Sequence, residues 1–82
     1  MRIALDYDHT YTEDPALWQR FISDAVACGH EVKIVTMRYP VEAIPSPPAE
    51  VVYTSRKAKR TCFAADVWID DSPQWVYSDA AA

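Results

Sequence analysis

Acids in close pairs carry most of the chemical potential of this 82-residue chain. In "ALDYDHTYT" (residues 4–12), Asp6 and Asp8 stand one residue apart, and Asp70 and Asp71 are adjacent in "VWIDD" (67–71). Each pair follows a short apolar run. Carboxylates this close repel each other, so a positive partner is expected beside them. Mg²⁺ fits, because it binds through one or two carboxylates and completes its shell with water and substrate phosphate. Hydroxyls and cations recur at comparable places. Thr36 ends "VKIVT", Thr54 and Ser55 follow "VVY", and "RKAKR" (56–60) holds four cations in five residues.

The elements that must position these groups are short. Residues 2–7 read as a first buried strand running into the acids. Asp14-Pro15 is a helix start, with Asp14 as N-cap and Pro15 at the first helical position. Leu17, Trp18, Phe21, Ile22, Ala25 and Val26 then share one helical stripe. Gly29, the only glycine, stands where a left-handed residue ends a helix. Residues 31–37 read as a second strand. Strand, helix, strand in this span predicts a right-handed βαβ unit with a parallel pair. In "RYPVEAIPSPPAE", prolines at 40, 45, 47 and 48 allow one helical turn over 41–44 and otherwise an extended connection. Residues 51–54 are a third strand, 56–65 a short helix, 67–71 a fourth strand, and 74–82 a tail that turns away and frays. Tyr7, Trp18, Phe63 and Trp68 read as core.

In an open parallel sheet all carboxyl ends lie on one edge, and ligands bind there. The predicted strand ends would therefore bring Asp6, Asp8, Thr36, Asp70 and Asp71 to one crevice. Asp-x-Asp-x-Thr after strand one (Asp6-Tyr7-Asp8-His9-Thr10), Thr36 after strand two, Lys59 (or Lys57) before the last strand, and Asp70-Asp71 after it resembles the haloacid dehalogenase (HAD) superfamily of phosphohydrolases. The likeness spans residues 2–73. Asp-x-Asp-x-Thr alone is a weak signal; the four elements in this order form a specific one.

The resemblance implies a fold and a reaction. The fold is α/β: a minimal Rossmann-like core of about four parallel strands in order 4-1-2-3, one main helix on each face, and a single domain over 1–82. The activity is Mg²⁺-dependent phosphomonoester hydrolysis through an aspartyl-phosphate. Phosphoryl transfer needs an in-line nucleophile and charge neutralisation above all. Asp6 would attack, needing no base because it is ionised at neutral pH. Asp8 would protonate the leaving oxygen and then activate water, its proton held because a neighbouring like charge raises its pKa. Thr36 and Lys59 would bind phosphoryl oxygens. Asp6, Asp70 and the Asp8 carbonyl would hold Mg²⁺, with Asp71 and Thr10 behind them. Lys57 and Lys59 cannot both face the site on a helix, and Lys59 is favoured. His9 would touch the leaving group or point away, and Arg38, just past Thr36, would contact substrate. The rest of the basic run reads as a solvated face or as contacts to a larger phosphorylated substrate. Ser72-Pro73 also suits Asp70-Asp71 to a turn.

Family members usually carry an inserted cap, for which this sequence has no room. An open site suggests a large phosphorylated substrate, such as a nucleic-acid end, a nucleotide or a protein, or else a covering partner. Half the residues are hydrophobic and a quarter charged, a globular composition. The net charge of −4 gives no general reason to bind nucleic acid or an anionic membrane. Cys28 and Cys62 fit no zinc spacing and are expected as buried thiols in helices. With no apolar run of about 20 residues and no visible signal peptide, a soluble cytoplasmic protein is expected. The missing second helix leaves the sheet thinly covered, so self-association, or fold-back of Trp75, Val76 and Tyr77, is expected. Two other readings are open. One is a non-catalytic module that captures a nucleotide or partner protein in the same crevice. The other, a phosphoacceptor like bacterial receiver domains, is disfavoured because strand three ends in Thr54 and not an aspartate.

Overall fold

β1 (Arg2–Leu5) lies between β2 (Glu31–Thr36) and β4 (Val67–Ile69), and β3 (Val51–Tyr53) pairs with the outer side of β2. All pairings are parallel. The order β3-β2-β1-β4 is the anticipated 4-1-2-3 read from the other edge. The computed structural model describes residues 1–81. Leu5 aligns with Ile34 on one side and Ile69 on the other. The chain therefore leaves β1 and β4 at one level, while β2 runs on by two residues to Thr36.

One face of the sheet is well covered. α1 (Pro15–Ala27) begins as its sequence dictates: Asp14 Oδ1 accepts the Leu17 N–H at 3.2 Å, and Gly29 (φ 88°) follows its end. Ile22 and Ala25 pack on Ile3, Leu5, Val32 and Ile34, with Trp18 and Phe21 edge to face at the margin. Leu17 and Val26, assigned to the same stripe, are exposed instead. A 13-residue helix spans about 20 Å, but the four-residue β1 spans only about 13 Å, so the stripe overruns the sheet. Between α1 and Ser46–Pro48 an open groove exposes Val26. The proline-rich connection contributes a 3₁₀ turn, Pro40–Glu42, and then Ile44, which is 4% exposed and inserts into this same core. The Ile44 N–H donates to the Tyr53 hydroxyl at 2.9 Å. One isoleucine thus takes the place of a second helix.

The opposite face corrects the expectation of one main helix per side. Residues 56–65 form only a 3₁₀ turn, Lys59–Thr61. Ser55 (φ 54°) and Arg56 (φ 69°) are left-handed, which no α-helix accommodates. Their N–H groups donate to the carbonyls of Arg38 and Met37 and tie the chain to the loop after β2. Phe63 then covers Ala4 and Val35, its ring flanked by the cations of Arg2 and Lys33 at 4.4 and 5.2 Å. The tail does not fray but takes the fold-back expected as the alternative to self-association. α2 (Gln74–Tyr77) folds back on the 59–61 turn with Val76 1% exposed, while Tyr77 stays in solvent. Both cysteines are free and exposed, not buried, because each sits where a helical segment ends. Among the described residues no helix is long and apolar enough to cross a membrane.

Candidate functional site

The site lies at the carboxyl edge of the sheet and is assembled by two turns. After β1, the Asp6 N–H donates to the Ile69 carbonyl at 2.9 Å, which continues the ladder by one residue and fixes the Asp6 side chain at the strand end. The chain then reverses through left-handed His9 (φ 66°). That reversal returns the Thr10 hydroxyl to within 3.0 Å of Asp6 Oδ2 and 3.2 Å of Asp71 Oδ1, while the hydroxyl accepts the Asp71 N–H at 3.2 Å. A hydroxyl has one proton, so it serves only one of the two carboxylates at a time. After β4, Asp70 Oδ1 accepts the Ser72 N–H at 2.9 Å, an Asx-type turn that aims its other oxygen inward.

Lys59 closes the cluster. Its Nζ donates to Asp6 Oδ1 at 2.7 Å and to Asp70 Oδ2 at 2.6 Å, from partners 53 and 11 positions away in sequence. All three side chains are buried. Lys57, the other lysine considered, is exposed and faces Asp79 at 4.0 Å. Carboxylate oxygens of Asp6, Asp70 and Asp71 lie within 4.8 Å of one another. Asp71, expected behind the metal ligands, therefore stands level with them.

Asp8 is placed differently from the others. Arg38 grips it from both nitrogens, Nε to Oδ2 at 3.0 Å and Nη2 to Oδ1 at 2.8 Å, and donates Nη1 to the Glu42 carbonyl. Its side chain is partly exposed. Thr36 is buried, and its hydroxyl accepts the Arg38 N–H at 3.3 Å. These groups line a cleft of about 290 Å³ with His9 and Arg56 at its rim. Trp75 and Ala80, from the folded-back tail, complete the wall.

The electrostatics of the two acids in Asp-x-Asp reverse the anticipated order. Burial raises the Asp6 pKa to about 6, although the Lys59 ammonium pulls it down. Asp8 is held below the usual carboxylate range, first by its hydrogen bonds to Arg38. Asp71 is likewise lowered, chiefly because Asp6 can donate a hydrogen bond to it. Without a metal, Asp6 therefore takes up a proton at a higher pH than Asp8 does. The Asp8–Arg38 pair follows from the strand register and not from the sequence alone. Leu5 aligns with Ile34, so Asp8, three residues on, and Arg38, four residues on, fall at neighbouring loop positions. The thin cover of the sheet pointed to a returning Trp75, but nothing in the sequence marked it or Ala80 as lining the cleft.

The donor set suits a hard divalent cation. Three carboxylates converge from two strand ends, and their only buried cation is a single lysine. All-oxygen sites of this kind suit Mg²⁺, Ca²⁺ or Mn²⁺. Comparisons with protein-family models, curated proteins and solved structures find no match to this chain.

Proposed function

We propose that the protein is a Mg²⁺-dependent phosphomonoester hydrolase of HAD type that works through an aspartyl-phosphate on Asp6. The observation that carries this reading is Lys59 bridging Asp6 Oδ1 and Asp70 Oδ2, a cation between two buried acids from different strands. Asp6, Asp70 and the Asp8 carbonyl would hold Mg²⁺, with Asp71 at their side. The ion would supply charge neutralisation for the phosphoryl oxygens.

The chain's own residues account for the rest. An Asp6 oxygen attacks phosphorus in line as the ester P–O bond breaks. Asp8 gives a proton to the departing oxygen, then takes one from the water that cleaves the acyl phosphate and regenerates Asp6. Lys59 and the Thr36 hydroxyl face the charge on the phosphoryl oxygens. Arg38 must exchange its grip on Asp8 for a phosphoryl oxygen, which the flexible stem of an arginine at a cleft rim permits. The cleft has no inserted cap, which suits a phosphate at the end of a large molecule, such as a nucleotide, an oligonucleotide or a protein. Self-association over the thin face of the sheet belongs to the same proposal.

A panel of p-nitrophenyl phosphate, phosphorylated metabolites and 3′- or 5′-phosphorylated oligonucleotides, assayed with Mg²⁺, tests the reading. Turnover by the wild type and none by Asp6→Asn is the expected result. One observation favours a second reading, a phosphate- and metal-binding module without turnover. The Arg38 clamp holds Asp8 deprotonated, which makes a poor general acid. Nucleotide or phosphate binding with no hydrolysis across the panel would decide for that module.

A further inference from the structure

We propose that residues 74–80 form a strap that sets the position of Lys59, with Asp79 as its positioning residue. The strap's effect on turnover rests on the phosphatase reading; its effect on the loop does not.

Lys59 is presented by a loop that cannot hold itself. Ser55 and Arg56 are consecutive non-glycine residues in the left-handed region, which persist only where the surroundings dictate them. Bonds to the loop after β2 hold Ser55 and Arg56 from one side, and two bonds from the tail add to that constraint next to the lysine. Asp79 Oδ1 accepts the Ala58 N–H at 2.7 Å, and the Ala80 N–H donates to the Arg56 carbonyl at 2.8 Å. Ala58 is buried and immediately precedes Lys59, so Asp79 fixes the residue from which the lysine turn starts. The strap is itself anchored, because Val76 is buried and α2 packs on the 59–61 turn.

The Asp79 charge is not what matters. Among the described residues its one cationic partner is Lys57, 4.0 Å away with both side chains in solvent, a pair of negligible worth. A neutral acceptor at position 79 should serve as well. This separates a hydrogen-bond role from an ionic one.

Asp79→Ala leaves the buried Ala58 N–H unpaired. In the full chain, amide exchange at 58–61 should then run about tenfold faster relative to β1 and β2. With Lys59 loosened, Asp6 and Asp70 lose their fixed counter-charge, so Mg²⁺ titration should show severalfold tighter binding, a gain that general damage would not produce. The kcat on a phosphate ester should fall about tenfold, as expected when a charge-stabilising group is displaced and not removed. Asp79→Asn should restore all three, and Lys57→Ala should change none. Unaltered exchange at 58–61 in Asp79→Ala, or failure of Asn to rescue, overturns the proposal. If the wild type hydrolyses no ester, the phosphatase reading falls, and exchange with Asn rescue still decides the strap.

Discussion

Two acids one residue apart lead opposite lives in this molecule. Asp6 is buried and faces Lys59, Asp70, Asp71 and Thr10. Asp8 sits at the rim and faces one arginine. Both touch a cation at under 3 Å, yet the Asp6 pKa rises and the Asp8 pKa falls. Desolvation is what separates them. In the cluster, Lys59 is shared between two carboxylates and does not fully compensate their loss of water. At the rim, a guanidinium serves a single carboxylate that keeps part of its hydration. Ion-pair distance alone therefore says little about protonation; the number of charges per cation and the access of water decide it.

The sharpest way to break this contrast is to remove the shared cation. Lys59→Met keeps the volume of the stem and strands Asp6 and Asp70 without a counter-charge. Breaking a buried pair from one side costs about 3–5 kcal/mol, close to the whole stability of a domain this small. Urea unfolding should show the variant largely unfolded or with a steeply reduced midpoint. Millimolar Mg²⁺ should recover part of the loss, because a ligand that binds only the folded state stabilises it. A midpoint within experimental error of wild type would mean the cluster is wetter than its burial implies.

Next in size is a pH effect. The Asp6 pKa is raised from 3.8 to about 6 on folding, so between these values the folded state binds more protons than the unfolded. Asp6 then opposes folding increasingly as pH rises through that window, by about 3 kcal/mol in total. Asp8 and Asp71, whose pKa values are lowered, act below 3.8 and in the opposite sense. In metal-free protein, the slope of stability between pH 4 and 6 should be flatter in Asp6→Asn than in wild type. Equal slopes would place the raised pKa elsewhere.

Much of this arrangement could be read from the chain, and the failures share a cause. The helix bounds followed from Asp14-Pro15 and Gly29, and the common edge from apolar runs that each end in an acid or a threonine. Those signals are local or repeat with a short period. The stretch 56–65 carries good helix formers and still does not form a helix. Bonds from Ser55 and Arg56 to residues near 38, and from Asp79 to Ala58, override propensity there. The exposed cysteines are likewise consequences of where helical segments end, whereas the return of Trp75 and Val76 was legible from the thin cover of the sheet. The cluster of Asp6, Asp70 and Lys59 was legible as a list of residues, whereas Asp8 facing Arg38 required the strand register.

The rim pair should be the weaker of the two despite its better geometry. Arg38→Ala removes a bidentate grip, but water replaces much of what Asp8 loses, so the cost should be under about 1 kcal/mol. The sign with pH is fixed by the lowered Asp8 pKa: its contribution is present above 3.8 and disappears as pH falls through the folded value. The deficit of Arg38→Ala should therefore be visible at neutral pH and vanish in acid, whereas that of Lys59→Met should shrink as pH falls towards about 6, because Asp6 without the lowering effect of Lys59 takes up its proton above that value. Carboxyl titration by NMR should show Asp8 returning towards 3.8 in Arg38→Ala while Asp6 stays high. If Arg38→Ala instead destabilised the fold as much as Lys59→Met, rim and cluster would form one network, and the separation of an acid with a raised pKa from one with a lowered pKa would no longer stand.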